Sequence, residues 1–578
     1  MLSLKRLVIL TALSLLCIPA MDAVQPKAEV RSMWIATVWQ IDWPQSAGTS
    51  TSVANSQKQQ MSTIISDMAA GNYNAIYFQV RPNCDAFYKS KYEPWSNYLT
   101  GSRGAAPAYD PLAYVVEQCH AKEMECHAWV NPMRFSTGSN YTTPNDKDMK
   151  NRGWLLKHGN TTIMNPGIPE VRQRIVDVCR DIIENYDVDG IVFDDYFYPS
   201  NIPTNSSAGD YNLWKKSGTP NFADWRRENV NKVIKQVYDM IQQVKPYVKF
   251  GVSPRGIAGT SQKVADKYGV PRCTSGSDSQ YDQIFCDPLA WLQAGSVDYI
   301  SPQIYWARGF NAGDFSILCP WWANVADKFN RHFYTSHSLE YFKDSSKTSR
   351  EKNFAGMAAQ VKVNRDVTKN NAPGAIFYSY SCIKNKKENS KSYFDYLGEN
   401  VFSTKALTPA ISWKNAPACG KVQNLKLTRA QLSWDKVDNV RYAVYSLPAG
   451  TAHDARYLKA EYLVAHPYNN KVNLNAAQIK GEIAVTIVDR YGNEYAPQWL
   501  NDQSGVENIE TEDLAMTIAD GQAFFNQKMD QVEVYDTLGK LVANDKNCES
   551  INLRNFSGIV FVKMTSNGLV KTVKSLVE

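Results

Sequence analysis

Val188-Asp189-Gly190-Ile191-Val192-Phe193-Asp194-Asp195-Tyr196-Phe197-Tyr198-Pro199 is the stretch that decides the fold. It opens as an apolar, β-branched run and closes on two adjacent carboxylates and an aromatic series. An unpaired carboxylate is costly to bury, or its pKa rises. A strand finishing on paired acids therefore marks either a solvated turn, where Asp is common, or a site. The flanking sequence decides between these.

The same grammar recurs along the first 400 or so residues. Short apolar runs end in polar or aromatic clusters at Met33-Trp34-Ile35-Ala36-Thr37-Val38, Ala75-Ile76-Tyr77-Phe78-Gln79-Val80-Arg81 and His127-Ala128-Trp129-Val130-Asn131-Pro132. The Asp194 segment is fourth. Phe250-Gly251-Val252-Ser253-Pro254-Arg255, Tyr299-Ile300-Ser301-Pro302-Gln303-Ile304-Tyr305-Trp306, Phe333-Tyr334-Thr335-Ser336-His337 and Ala375-Ile376-Phe377-Tyr378-Ser379-Tyr380 complete eight. Helical periodicity falls between them at 57–70, 111–122, 170–186, 223–244, 321–331 and 351–367. In 170–186, Pro169 and Glu170 mark the first turn, and Val171, Ile175, Val178 and Ile182 share one face. No helix is well marked between the fifth and sixth strands. Eight strand–helix alternations predict an α/β fold, a (β/α)8 TIM-like barrel whose chemistry gathers at the carboxyl ends of the strands. Periodicity alone leaves an open doubly wound sheet as the alternative. No Gly-rich dinucleotide or phosphate loop follows an early strand, which weighs against it.

At 578 residues the chain exceeds a single core. Lys5 and Arg6, an apolar run at 7–18 and a small residue at Ala20 or Ala23 read as a secretory signal over 1–23. This predicts export to the periplasm, outer surface or medium. The apolar run is short for a membrane span, and no later stretch supplies an integral one. Leu16 speaks against lipid attachment at Cys17. No CxxC pair or zinc spacing occurs among the cysteines and histidines, so neither a metal nor a cofactor is expected. Cys273 with Cys286 is a candidate disulfide. The formal charge of +6 is spread thinly and forms no basic stripe, which argues against a nucleic-acid partner. Trp34, Trp39, Trp43, Trp95, Trp129, Trp306, Trp321 and Trp322 fall at or near predicted strand ends. Such aromatics either fill core and rim or offer platforms for the C–H faces of sugars.

Several of these segments also carry a family resemblance. Arg31-Ser32-Met33-Trp34-Ile35-Ala36-Thr37-Val38 with Ile41-Asp42-Trp43-Pro44 resembles the opening signature of the glycosyl hydrolase-like family 10 proteins. Phe78-Gln79-Val80-Arg81-Pro82 with Asp85-Ala86-Phe87-Tyr88, then His127-Ala128-Trp129-Val130-Asn131-Pro132, Asn165-Pro166-Gly167, residues 187–199, Ser253-Pro254-Arg255-Gly256-Ile257 and Pro302-Gln303-Ile304-Tyr305-Trp306 follow in family order. The match spans 28–410. The resemblance implies a glycosidase-related barrel and a glycan partner, in some members peptidoglycan strands stripped of peptide.

Glycoside hydrolysis normally needs one carboxylic acid and a second carboxylate. Asp194 and Asp195 are adjacent, so along a strand their side chains face opposite ways and do not form the facing pair. Asp194 shares the phase of Gly190 and Val192 and is the principal catalytic candidate, with Asp195 next. Asp85 has the best motif context for the second acid. Glu340, after the seventh strand, has the best position opposite the fourth, and Asp42 is a further candidate. Arg81, Arg134 and Arg255 either clamp a substrate carboxylate or pair with these acids. Gln79, Trp129, Asn131, Tyr196, Gln303, Tyr305 and Trp306 complete the expected substrate-binding set.

Near 415–418 the pattern changes to short alternating strands. Residues 420–500 resemble a fibronectin type III β-sandwich, and 505–578 resemble C-terminal sorting-type β-sandwiches of secreted proteins. The expected function is an exported hydrolase of O-glycosidic bonds. The alternatives are a non-catalytic carbohydrate-binding barrel and an envelope scaffold.

Overall fold

The computed structural model describes residues 25–136, 142–339, 351–368, 373–500, 514–519, 521–566 and 569–577. Eight parallel staves form a ring: β1 (Val30–Ile35), β2 (Ala75–Arg81), β3 (Glu125–Val130), β4 (Gly190–Phe193), β5 (Lys249–Val252), β6 (Tyr299–Ile300), β7 (His332–Phe333 with Thr335–Ser338) and β8 (Gly374–Tyr378). Each pairs with the next from β1 to β6. The seventh stave is divided at Tyr334. His332–Phe333 pairs with β6, Thr335–Ser338 pairs with β8, and β8 returns to β1, so the ring closes. This settles the choice left open by periodicity in favour of the barrel.

The helices around the ring are α1 (Thr51–Ala70), α2 (Pro111–Ala121), α3 (Pro169–Asn185), α4 (Phe222–Val244), α5 (Pro288–Gln293), α6 (Phe315–Lys328), α7 (Phe354–Val367) and α8 (Tyr393–Asn400). Their starts follow local chemistry. Asp110 accepts a hydrogen bond from Ala113 N ahead of Pro111, and Asp287 accepts one from Ala290 N ahead of Pro288. The weakly marked link between the fifth and sixth strands contains the short helices Gln262–Tyr268 and Ser279–Gln283 besides α5. α6 starts six residues before the position expected from sequence. Asp314 caps it, and Pro320 lies only one turn inside, where one backbone bond is lost.

Alternation along the staves separates two cores. Ile191 and Phe193 belong to the large layer between ring and helices. Val192 joins Trp34, Tyr77, Trp129, Tyr299, Tyr334 and Ile376 in a second cluster that fills the ring. Room for those rings comes from strand glycines. A Cβ at Gly190, Gly251 or Gly374 would collide with His127, Tyr299 or Tyr334 respectively.

After the barrel come seven short strands in two antiparallel sheets, of three and four members, over 426–499. Trp434 packs edge-on against Tyr442 in their core. The final strands, from Met516–Ala519 to Leu569–Val577, join one five-stranded antiparallel sheet. No described helix is long and apolar enough to cross a membrane.

The first of these β units is locked to the amino-terminal end of the barrel. Arg441, on the strand Val440–Leu447, lies 2.9 Å from Glu125 on β3, and Lys249 on β5 donates to both oxygens of the same carboxylate at 2.7 Å. Nearby, Arg490 and the Tyr468 hydroxyl both bind Asp189, at 3.2 and 3.1 Å, and His120 stacks on Tyr468. Lys249 and Arg441 hold the Glu125 carboxyl below its usual range despite burial, and His120, with Arg490 after it, does the same for Asp189. Cys273 and Cys286 stand as separate buried thiols rather than the expected disulfide, their sulfurs facing Ser275 O and the Gln280 side chain.

Candidate active site

The carboxyl ends of the staves open into a cleft of about 160 Å³. Its walls carry Trp34, Trp39, Trp129, Tyr196, Tyr305 and Tyr378, and its floor carries Asp194 and Asp195. Pairing of β4 ends at Phe193, whose carbonyl accepts from Ser253 N at 2.7 Å. Beyond that bond the backbone turns, and Phe197 N reaches Asp195 O at 3.0 Å. The turn undoes the strict alternation of a strand. Both acids therefore line the cleft, whereas a straight strand would have sent one of them away.

Asp194 is almost fully buried and accepts a hydrogen bond from the Trp129 indole N–H, Nε1 to Oδ2, at 2.9 Å. Its carboxyl is pushed up to about 7, first by burial and second by the negative neighbour Asp195; the Trp129 bond and the Arg134 charge only partly offset this. Asp195 accepts from Arg255 Nε at 3.3 Å and from Gln303 Nε2 at 3.2 Å. The two acids thus occupy different settings: one desolvated and protonated near neutrality, the other against a guanidinium.

The other expected residues divide. Gln79 lines the cleft while its Oε1 accepts from Thr37 N and Val38 N, fixing the loop after β1. Gln303, Tyr305, Tyr196, Trp129 and Arg134 also line it, and Tyr305 stacks on Tyr378 with ring centres 6.2 Å apart. Five residues do not come to the opening. Arg81 is fully buried, donating to Glu93 and to the Asn131 and Pro132 carbonyls. Asp85 is sealed in beside Arg103 at 3.2 Å. Both belong to one buried polar cluster joined through Cys84, whose sulfur accepts from Arg81 and whose carbonyl accepts from Arg103. Asn131 is buried and accepts from Arg134 N at 3.1 Å, so it orients the next segment. Trp306 packs over Gly256 and Gly313, where a Cβ would meet its ring, rather than into the mouth. Asp42 is held by Ala36 N, Ser379 Oγ and Ser381 N. Glu340 lies outside the described residues.

Sequence reasoning missed Ser253 and Tyr378 as lining residues. Both share the inward phase of their staves, Gly251–Ser253 and Gly374–Ile376–Tyr378, and that phase was the available signal. The Ser253 hydroxyl is buried, has no hydrogen-bond partner among the described residues and lines the cleft.

A second lobe of about 290 Å³ adjoins the first and shares Arg134, Asp195 and Tyr196 with it. Its far wall is the small antiparallel sheet inserted after β3, formed by Arg134–Ser136, Leu155–His158 and Thr161–Met164. Among the described residues, no group of three His, Cys, Asp or Glu side chains is gathered to hold a metal ion.

The profile of the family described as Glycosyl hydrolase-like 10 matches residues 29–353. Glycosyl hydrolase YngK of Bacillus subtilis (strain 168) is 35% identical over 419 residues, covering 71% of this chain and 79% of that protein. Glycosyl hydrolase DigH of Escherichia coli (strain K12) is 32% identical over 366 residues, covering 60% and 82% respectively. Among solved structures, the PgaB (BpsB) glycoside hydrolase domain from Bordetella bronchiseptica aligns with a TM-score of 0.41 at 12% identity, over 64% of this chain and 98% of that one.

Proposed function

The chain belongs to the Glycosyl hydrolase-like 10 family, and from that premise we propose that it hydrolyses O-glycosidic bonds in an amino-sugar-containing cell-wall glycan after export. The observation carrying this reading is Asp194, a buried carboxyl with a pKa near 7 in an aromatic cleft at the barrel mouth. At neutral pH a large fraction of it holds a proton that an ordinary aspartate has lost. Such a group acts as the general acid, protonating the leaving glycosidic oxygen. Asp195 offers negative charge to the sugar cation that develops in the transition state. Glu340, after β7, is the proposed second carboxylate. Trp39, Tyr305 and Tyr378 stack on sugar faces, and Gln303 and Ser253 meet hydroxyls.

Reducing ends released from purified sacculi test the reading. Asp194→Asn is expected to lower release by about 10²–10⁴-fold, the usual worth of a general acid, while binding and the thermal transition persist. Undiminished turnover in both Asp194→Asn and Asp195→Asn would defeat it. Saturable glycan binding by the wild type without any release would instead identify a binding barrel.

A further inference from the structure

The second lobe is unlike the first in charge. Two guanidinium groups, those of Arg134 and Arg255, face it, and among the described residues the one carboxylate in its lining is Asp195. Asp195 is already engaged by Arg255 at 3.3 Å, and Arg255 Nη2 reaches on to Ser200 Oγ at 3.0 Å. Arg134 has a different setting. Its guanidinium carbon lies over the Tyr196 ring, 3.5 Å from the ring centre. Among the described residues, no carboxylate forms an ion pair with it. Stacking occupies the face of a guanidinium and leaves its in-plane N–H edge available, and that edge matches the two oxygens of a carboxylate. Tyr196 as a residue is 43% exposed, so the lobe is open to a ligand beside it.

We propose that this lobe is an anion subsite that receives a carboxylate carried by the sugar next to the scissile bond, with Arg134 as its principal ligand and Arg255 as its second. This rests on the glycoside hydrolase reading and narrows it to acidic glycans. The shared position of Arg134, Asp195 and Tyr196 in both lobes sets the geometry. A sugar over Tyr196 can place its ring near Asp194 and Asp195 while its acidic substituent turns toward the inserted sheet. Ser200 and Thr161 line the same lobe and add neutral donors. The carboxylate has two possible carriers, an ether-linked lactyl group or the C6 of a hexuronic acid, and both present the same planar anion.

Binding to the Asp194→Asn protein tests the subsite without turnover. The probes are peptide-free glycan strands from sacculi, a hexuronic acid oligomer, and each of these after reduction of its carboxyls to alcohols. At least one intact probe is expected to bind on the order of tenfold more tightly than its reduced form, as a charged bidentate contact implies. Arg134→Gln should abolish that preference, and Arg134→Lys should restore part of it. Preference for the intact strands alone assigns the lactyl carrier, and preference for the intact uronate alone assigns the other. Equal affinity for intact and reduced forms of both probes, failure to bind any of the four, or a preference that survives Arg134→Gln would overturn the proposal. Reducing-end release by the wild type, measured in parallel, reports separately on the hydrolase reading.

Discussion

Asp194 and Trp39 are the residues at which the site departs most from ordinary protein chemistry. The raised Asp194 carboxyl has a catalytic and a structural consequence of opposite sign. As the general acid it must be protonated, so kcat/KM, which reports the free enzyme, is expected to fall about tenfold per pH unit above roughly pH 7. For stability, folded and unfolded chains both hold the proton below about pH 4. Between there and about 7 the unfolded state loses it first, so stability falls as pH rises and the full cost is present above 7. That cost is at most about 4 kcal/mol. Asp194→Asn, which still accepts the Trp129 bond, should therefore melt at or above the wild-type temperature at pH 8, with the difference closing toward pH 4. Trp39 sits at the cleft rim, 60% exposed, in left-handed backbone with φ 52° and ψ 17°. A bulky residue held there costs roughly 1–3 kcal/mol, and such strain is concentrated at functional sites. Trp39→Gly should leave the melting temperature equal or higher while raising KM for glycan several-fold, a split visible by calorimetry and initial rates.

At the scale of elements, the ring depends on a size exchange between neighbouring staves. Small residues in β4, β5 and β8 face large rings from β3, β6 and β7. Gly251→Ala places a methyl against Tyr299, and over-packing of this kind typically costs about 1–3 kcal/mol. Urea unfolding should show that loss in the midpoint with an unchanged slope. The helix boundaries follow a similar local logic, and capping explains the early starts. α1 begins at Thr51 because Ser50 accepts from Val53 N, and α6 begins at Phe315 because Asp314 accepts from Ser316 N. A hydrophobic pattern alone starts both helices too late.

Over the whole molecule, the barrel and the β unit after it share buried charge. Arg441 inserts from that unit against Glu125, beside Lys249. Removing one member of a buried ionic cluster commonly costs about 3–5 kcal/mol. Arg441→Met should accordingly destabilise the barrel, although the residue is far along the chain from every stave. Deleting 505–578 should leave soluble barrel activity intact, whereas deleting 420–578 should abolish it, as rate assays on purified proteins will show. Acid adds a second test. His332 and His466 are held down to about 3 and His337 to about 4 by burial. Their contribution is complete above about pH 6.5, the unfolded value, and is lost as pH falls toward the folded ones. The lowered carboxyls of Glu125 and Asp189 lose theirs over the acid range as well. Melting temperature should therefore decline steadily below about pH 6, in contrast to the Asp194 effect.

The sequence by itself determined the eight strand–helix alternations, their order and the acidic end of the fourth stave, while closure of the ring was left to the tertiary structure. The alternations, their order and the acidic end follow from the two-residue repeat of strands, the spacing of apolar helix faces and the residue-by-residue motif matches around 31–44 and 188–199, all of which are local along the chain. Tertiary structure decided which polar residues face the cleft. Arg81 and Arg134 look alike as strand-end arginines. One is closed in by Glu93 and two carbonyls, and the other lies open on Tyr196, 62 residues later in the chain. Likewise nothing near Arg441 announces Glu125 as its partner. Burial and charge pairing depend on what the rest of the chain brings alongside, and no local pattern encodes that.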